Sequence, residues 1–150
     1  PAVDPPSTPD VTVPLTQLEG FSNLRFLIVD DHAVNRLVLR QILLNQWPDA
    51  FVMEGADGFA ALGYLKEHVF DLVFLDMVMP GLGGIETAQR LAHPDFTSTP
   101  PLIGLTANVN PQDLEAFYKA GLSGLLLKPF NREQLMALIH QLLSSSVGRS

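Results

Sequence analysis

The feature that most constrains the fold is a run of large apolar residues near the middle of the chain, which ends in an acidic residue and a Pro-Gly turn. The run Leu72-Val73-Phe74-Leu75 is followed by Asp76 and then by Pro80-Gly81. Apolar sequence without polar alternation is typical of a strand buried on both faces of a parallel sheet. Ligands of such sheets bind at the carboxyl ends of the strands, so Asp76 is the first candidate for chemistry.

Further apolar segments flank this run, with helical segments between them. The predicted strands cover residues 25–29, 50–53, 71–76, 102–105 and 125–127. Apolar residues at helical spacing, bounded by Asn, Asp, Gly and Pro, predict helices over 34–46, 57–67, 85–92, 110–120 and 131–143. Five strands that alternate with five helices predict a doubly wound α/β fold around a parallel sheet.

Composition divides the chain into three parts. Residues 1–23 are predicted to be an extended Pro-rich linker, because they hold few large apolar side chains and many prolines. Residues 24–143 suit one domain with a single core, and residues 144–150 are a polar tail. A linker at the start favours a fragment of a longer chain.

Charge and composition exclude several classes of function. The net charge of −7 and the lack of Lys/Arg clusters argue against nucleic-acid binding. The chain has no cysteine and no apolar run of membrane length, so thiol chemistry and direct membrane contact are not expected. The histidines lack the spacing of a metal site and are expected to be ordinary surface or core residues: His32, His68, His93 and His140.

Reactive or charged side chains follow four of the predicted strands. They are Asp30 and Asp31 after the first strand, Asp76 after the third, Thr106 after the fourth and Lys128 after the fifth. Taken singly, each has an ordinary interpretation as a helix cap, a loop hydroxyl or a solvated charge. Parallel strands end at one edge of a sheet, and the convergence of all five side chains there favours a functional site.

Three neighbouring carboxylates repel one another, at about 4 kcal/mol per pair for ~4 Å and an effective dielectric of ~20. A hard divalent cation offsets this, and Mg²⁺ suits the oxygen donors, with Mn²⁺ as an alternative. Lys128 and the Thr106 hydroxyl can then bind phosphoryl oxygens. A carboxylate nucleophile can accept phosphoryl to form an aspartyl phosphate.

These motifs resemble the receiver domain of two-component response regulators. The resemblance rests on Asp30-Asp31, Asp76 with Met79-Pro80 and Gly84, Thr106-Ala107, and Lys128-Pro129-Phe130. It implies the flavodoxin-like strand order 2-1-3-4-5 and a cis Lys128-Pro129 bond.

The resemblance also implies roles for individual residues. Asp76 would accept phosphoryl from a phosphohistidine, Lys128 would bind the phosphoryl group, and Thr106 would sense it. Mg²⁺ would be held by Asp31, Asp76 and the Val78 carbonyl, and by Asp30 through water. The chain would not be a classical enzyme, although self-phosphorylation and autodephosphorylation at Asp76 are expected.

The sequence Asp31-His32-Ala33-Val34-Asn35-Arg36 resembles receivers inside hybrid histidine kinases. This resemblance implies a cytoplasmic receiver on a parent that can be anchored in the inner membrane. Its partners would be a sensor histidine kinase, a histidine phosphotransfer domain, or both. The alternatives are a free-standing response regulator and a docking module that no longer uses phosphorylation.

The first helix offers a candidate docking surface. Val38, Leu39 and Ile42 are predicted to face the core, while Leu37 and Leu44 share the opposite face, where a partner helix could bind. Leu125 stands where the family often has Tyr or Phe, and it is a further candidate contact for a partner. A dehalogenase-type phosphatase would need Asp at Val78, and an FMN carrier would not place Asp30-Asp31 beside a phosphate.

Overall fold

The computed structural model describes residues 23–79, 81–91, 100–107 and 111–148. The strands are β1 Arg25–Val29, β2 Phe51–Gly55, β3 Leu72–Asp76, β4 Leu102–Thr106 and β5 Gly124–Leu127. The helices are α1 Ala33–Gln46, α2 Gly58–Glu67, α3 Gly84–Leu91, α4 Pro111–Lys119 and α5 Arg132–Gly148. The predicted linker, apart from Asn23, lies outside the described residues. No helix in the described ranges has both the length and the apolar character to cross a membrane.

The strands form one parallel sheet in the order β2-β1-β3-β4-β5, which confirms the predicted fold class. Both faces of the sheet are covered, which explains why the central strands are apolar throughout. Alternate side chains of β1 point into two separate cores: Phe26 and Ile28 into one, Leu27 and Val29 into the other. The first core is closed by α1 and α5, and the second by α2, α3 and α4.

Two predicted boundaries differ from the structure by more than one residue. Strand β2 continues to Gly55, because Glu54 and Gly55 pair with β1 through their backbones although neither has a side chain typical of a strand. Helix α5 continues past residue 143 to Gly148. The serines after Leu143 are weak helix formers, but no proline or glycine interrupts the helix before Gly148.

Backbone hydrogen bonds just beyond the strands draw the loops of one sheet edge together. The Asp30 N–H donates to the Gly55 carbonyl at 3.1 Å, and the Met77 N–H donates to the Leu105 carbonyl at 2.9 Å. The Lys128 N–H donates to the Thr106 carbonyl at 2.7 Å. The sheet thereby holds the residues that follow β1, β3 and β5 at one rim.

Candidate functional site

The three predicted carboxylates meet at this rim. Asp30 and Asp76 are almost completely buried, with 1% and 4% of their surface exposed, and Asp31 is half-buried. Ligand atoms of these residues and of His32 all lie within 4.8 Å of one another. Strands β1 and β3 are direct neighbours in the sheet, which is why residues so distant in sequence form one cluster.

Lys128 supplies the positive charge of the site. Its Nζ lies 3.5 Å from Asp30 Oδ2 and 3.5 Å from Asp76 Oδ1. The side chain is only a quarter exposed, so its charge is poorly screened by water. The Lys128-Pro129 peptide bond is cis, as the resemblance implied.

Thr106 and Val78 lie at the same rim of the sheet as Asp76. Thr106 is buried at the end of β4, one residue beyond the position that pairs with Asp76. The Val78 N–H donates to Asp76 Oδ1 at 3.3 Å, while the Val78 side chain projects into solvent. The structure thus brings together every residue to which the sequence assigned a role in phosphoryl or metal binding.

The charge balance of the site disfavours an ionised Asp76. Burial raises the pKa of the Asp76 carboxyl, and the charge of Asp30 raises it further, with a smaller contribution from Asp31. The hydrogen bond from Val78 and the charge of Lys128 lower the pKa but do not reverse the shift. One lysine is therefore insufficient to neutralise three carboxylates, and an additional cation would lower the pKa of the Asp76 carboxyl.

The donor set fits a divalent metal ion. Oδ1 of Asp31 is buried and receives no hydrogen bond from the described residues. His32 Nδ1 lies 3.1 Å from this oxygen, but the pair lacks hydrogen-bond geometry, so the contact is one of proximity. A buried carboxylate oxygen without a donor is costly unless it binds a cation. The unpaired oxygen of Asp31 is thus placed to hold a cation within the acidic cluster.

His32 was predicted to be an ordinary surface or core histidine, and the structure places it on the surface beside the acidic cluster. Its ring is exposed, but Nδ1 lies 3.4 Å from Asp30 Oδ1 and 3.1 Å from Asp31 Oδ1. Metal-ligand spacing between histidines does not reveal a cluster in which one histidine stands beside carboxylates. The available signal was the position of His32 directly after two strand-terminal acids.

A second group, for which the sequence predicted no role, supports the site from outside. Arg36 Nη1 donates to the Asp30 carbonyl at 2.6 Å, and Arg36 Nε donates to Glu54 at 3.0 Å. Arg40 Nη1 donates to the other Glu54 oxygen at 3.1 Å. Glu54 therefore fixes α1 against β2 and, through Arg36, fixes the backbone of Asp30. The spacing of two arginines by four residues was the sequence signal.

The predicted docking residues are only partly where the sequence placed them. Leu37 is 52% exposed, as expected, but Leu44 is partly buried. Val38, predicted to face the core, is 50% exposed. It lines a cavity of about 440 Å³ between α1 and the loop after β5, together with Lys128 and Phe130. The exposed apolar face of α1 is thus formed by Val34, Leu37 and Val38 and does not include Leu44.

Leu125 lies in a second groove, on the far side of β5. This groove has a volume of about 580 Å³ and is formed by α4, β5 and α5. Leu125 is half-buried and packs against the core beneath α4, while Tyr118 of α4 is exposed at the rim of the groove. At the position where the family often has Tyr or Phe, this chain therefore has a leucine that packs against the core.

A doubly wound parallel sheet with carboxylates and a lysine at one rim defines a class of flavodoxin-like α/β proteins with an acidic site at the strand ends. Within this class, the chain belongs to the response regulator receiver domain family, whose model matches residues 26–140. It is a receiver domain of two-component signal transduction, and the resemblance inferred from its motifs is confirmed.

Two curated relatives illustrate the family. The chain is 36% identical over 125 residues to Stress response regulator protein 1 of Meyerozyma guilliermondii, covering 83% of this chain and 57% of that protein. It is 35% identical over 133 residues to the Virulence sensor protein BvgS of Bordetella pertussis, covering 85% of this chain and 10% of that protein. The chain spans about half the length, or less, of the curated relatives it matches.

Solved structures agree with this assignment. The chemotaxis protein CheY4 of Vibrio cholerae superposes with a TM-score of 0.73 at 28% identity, covering 81% of this chain and 100% of that one. The receiver domain of a Pseudomonas aeruginosa sensor histidine kinase gives 0.71 at 27% identity, covering 82% and 99%. The crystal structure of that domain contains a magnesium ion coordinated in its active-site cleft.

Proposed function

We propose that Asp76 accepts a phosphoryl group from a phosphohistidine in a reaction that requires a divalent metal ion. The observation that carries this proposal is the position of the buried Asp76 carboxylate, 3.5 Å from Lys128 Nζ and within one cluster with Asp30 and Asp31. Members of the receiver family generally bind Mg²⁺. Here Asp31, Asp76 and the Val78 carbonyl would ligate Mg²⁺ or Mn²⁺, and Asp30 would act through water.

The residues of the site have separate tasks in the transfer. An oxygen of ionised Asp76 attacks phosphorus, the P–N bond to the donor imidazole breaks, and an acyl phosphate forms. Lys128, already within reach of Asp76, binds a phosphoryl oxygen, and the Thr106 hydroxyl donates to another. When bound, Mg²⁺ neutralises the carboxylates and the incoming phosphoryl charge. Loss of the group to water would return Asp76 to its free form.

We further propose that the chain is a receiver of a hybrid sensor histidine kinase, with residues 1–23 as a tether and residues 24–143, extended by α5 to Gly148, as the folded unit. The motif that begins at Asp31-His32 supports this, as does the likeness to a virulence sensor and to a sensor-kinase receiver. Its partners would be a histidine kinase and a histidine phosphotransfer domain, in the cytoplasm. The alternative is a free-standing response regulator, and the likeness to Stress response regulator protein 1 of Meyerozyma guilliermondii supports it.

The proposal is tested by intact mass after incubation with Mg²⁺ and acetyl phosphate or phosphoramidate. We expect a gain of one phosphoryl group that EDTA prevents and Asp76→Asn abolishes. Asp49→Asn is the matched control, because Asp49 is an exposed carboxylate just before β2, at the amino ends of the strands and so away from the site. No adduct from either donor, nor from phosphorylated histidine kinases, would favour the docking module instead.

A docking surface on α1 would affect transfer from a protein but not from a small molecule. Replacing Val34 and Leu37 together with Ser removes two exposed apolar side chains beside the site. We expect phosphotransfer from a phosphotransfer domain to slow by at least about fivefold, which is about 1 kcal/mol of lost contact. The measurement is the rate of label transfer in rapid-quench experiments.

This prediction has two controls, which are acetyl phosphate as a small phosphoryl donor and Val69→Ser as a second variant. The rate with acetyl phosphate should stay unchanged, because a small donor needs only the acidic site and Lys128, whereas Val34 and Leu37 are exposed side chains of α1. Val69→Ser removes an equally exposed apolar side chain from a loop at the other end of the sheet and should leave both rates unchanged. Equal slowing with both donors would reject the docking surface.

A further inference from the structure

We propose that His32 supplies an imidazole ligand to the metal site, so that this receiver binds Co²⁺, Ni²⁺ and Zn²⁺ more tightly, relative to Mg²⁺, than carboxylates alone would allow. The inference rests on the proposed metal site at Asp31 and Asp76. It adds a nitrogen donor to a set that is otherwise made of oxygen atoms.

The distance from His32 Nδ1 to Asp31 suits two neighbouring ligands on one ion. Nδ1 lies 3.1 Å from Asp31 Oδ1. Two atoms bound at right angles to an ion, each at about 2.1 Å, are about 3 Å apart. The oxygen nearest to the imidazole nitrogen is the same Asp31 oxygen that is buried without a hydrogen-bond donor. One ion can therefore satisfy both atoms.

The backbone presents the His32 ring to the site. His32 occupies the N-cap position of α1, yet its side chain makes no capping hydrogen bond to the helix. Its N–H instead donates to Asp30 Oδ1 at 2.8 Å, which fixes the peptide against the acidic cluster. The side chain is 67% exposed, so the ring can adjust to a ligand without displacing core residues.

The donor type decides which metals gain from this ligand. Mg²⁺ prefers oxygen ligands and retains several waters, so an imidazole contributes little to its binding. Co²⁺, Ni²⁺ and Zn²⁺ bind imidazole well, and affinity for a mixed nitrogen and oxygen site rises from Mn²⁺ through Co²⁺ to Ni²⁺. His32 should therefore change the selectivity of the site more than its affinity for Mg²⁺.

The test is calorimetric titration of the metal-free chain with Co²⁺ and, separately, with Mg²⁺. For His32→Ala we expect Co²⁺ affinity to fall at least about tenfold and Mg²⁺ affinity to change less than about twofold. His68→Ala is the matched control, because His68 follows α2 and precedes β3, at the amino ends of the strands and away from the site. Excess Mg²⁺ should displace Co²⁺ from the wild-type chain, and the visible absorption of bound Co²⁺ should change in His32→Ala alone.

The possible outcomes separate this inference from the proposed function. Unchanged Co²⁺ affinity and absorption in His32→Ala, with Mg²⁺ still bound, would overturn the role of His32 and leave the carboxylate site intact. Higher Co²⁺ affinity in His32→Ala would also overturn it, because the ring would then compete with the ion. If neither metal binds the wild-type chain, or if Asp31→Ala leaves both affinities unchanged, the proposed metal site fails together with the inference.

Discussion

Replacing Asp76 with Asn is expected to raise the thermal stability of the metal-free chain at neutral pH while it abolishes phosphoryl acceptance. Burial and the charge of Asp30 raise the pKa of Asp76, so its ionised form costs folding free energy. Asn removes the charge but keeps the shape of the side chain and an oxygen that accepts the Val78 N–H. Lys128 keeps Asp30 as a partner.

The pH dependence of this gain follows from linkage. A carboxyl group with a raised pKa in the folded chain binds its proton more tightly there than in the unfolded chain. Its contribution to stability is complete below the ordinary pKa of 3.8 and is lost as the pH rises through the folded value. The advantage of Asp76→Asn should therefore be largest at neutral pH. Relief of about 1–3 kcal/mol, at about 2–4 °C per kcal/mol, predicts that the melting temperature rises by about 2–12 °C.

Thermal unfolding in EDTA, followed by circular dichroism at pH 7 and at pH 4, measures this effect. Asp71→Asn is the matched control, because Asp71 precedes the same strand and its carboxylate accepts the Arg25 N–H at 2.8 Å, outside the acidic cluster. Mg²⁺ should stabilise the wild-type chain more than Asp76→Asn. A melting temperature at pH 7 that is unchanged or lower in Asp76→Asn would contradict the electrostatic description of the site.

Gly84→Ala is expected to destabilise the fold and the site together. A methyl group on Gly84 would lie 2.8 Å from the Asp76 carbonyl oxygen, 2.8 Å from Met77 Cα and 2.7 Å from Met77 Cε. Two of these atoms belong to the backbone and cannot rotate away, so α3 or the end of β3 must move. Overpacking of this kind costs about 1–3 kcal/mol and sometimes more. Because the displaced backbone is that of Asp76, phosphorylation should also slow.

Urea unfolding and the initial rate of phosphorylation by acetyl phosphate together test this prediction. Gly63→Ala is the control, because a methyl group there meets no atom within 4 Å and α2 should gain about 0.5–1 kcal/mol. The two glycine substitutions should thus change the free energy of unfolding in opposite directions. Wild-type stability in Gly84→Ala would show that the loop after β3 can yield without cost.

Local sequence determined the fold class and the main members of the site. Continuous apolar runs at β1, β3 and β4 required a sheet covered on both faces, and the alternation with helices required parallel strands. Parallel strands end at one rim, so Asp30, Asp76 and Lys128 could be assigned to one crevice from their positions alone. These inferences succeeded because hydrophobic periodicity and strand ends are properties of short segments.

Only the tertiary structure decided which neighbours surround those residues. The contact of His32 with Asp31, and the link from Arg36 to Glu54, depend on how α1 lies against β1 and the edge strand β2. The exposure of Val38 depends on the space between α1 and the loop after β5. Helical periodicity defines an apolar face but not the part of it that the sheet covers. That coverage is set by packing between segments distant in sequence.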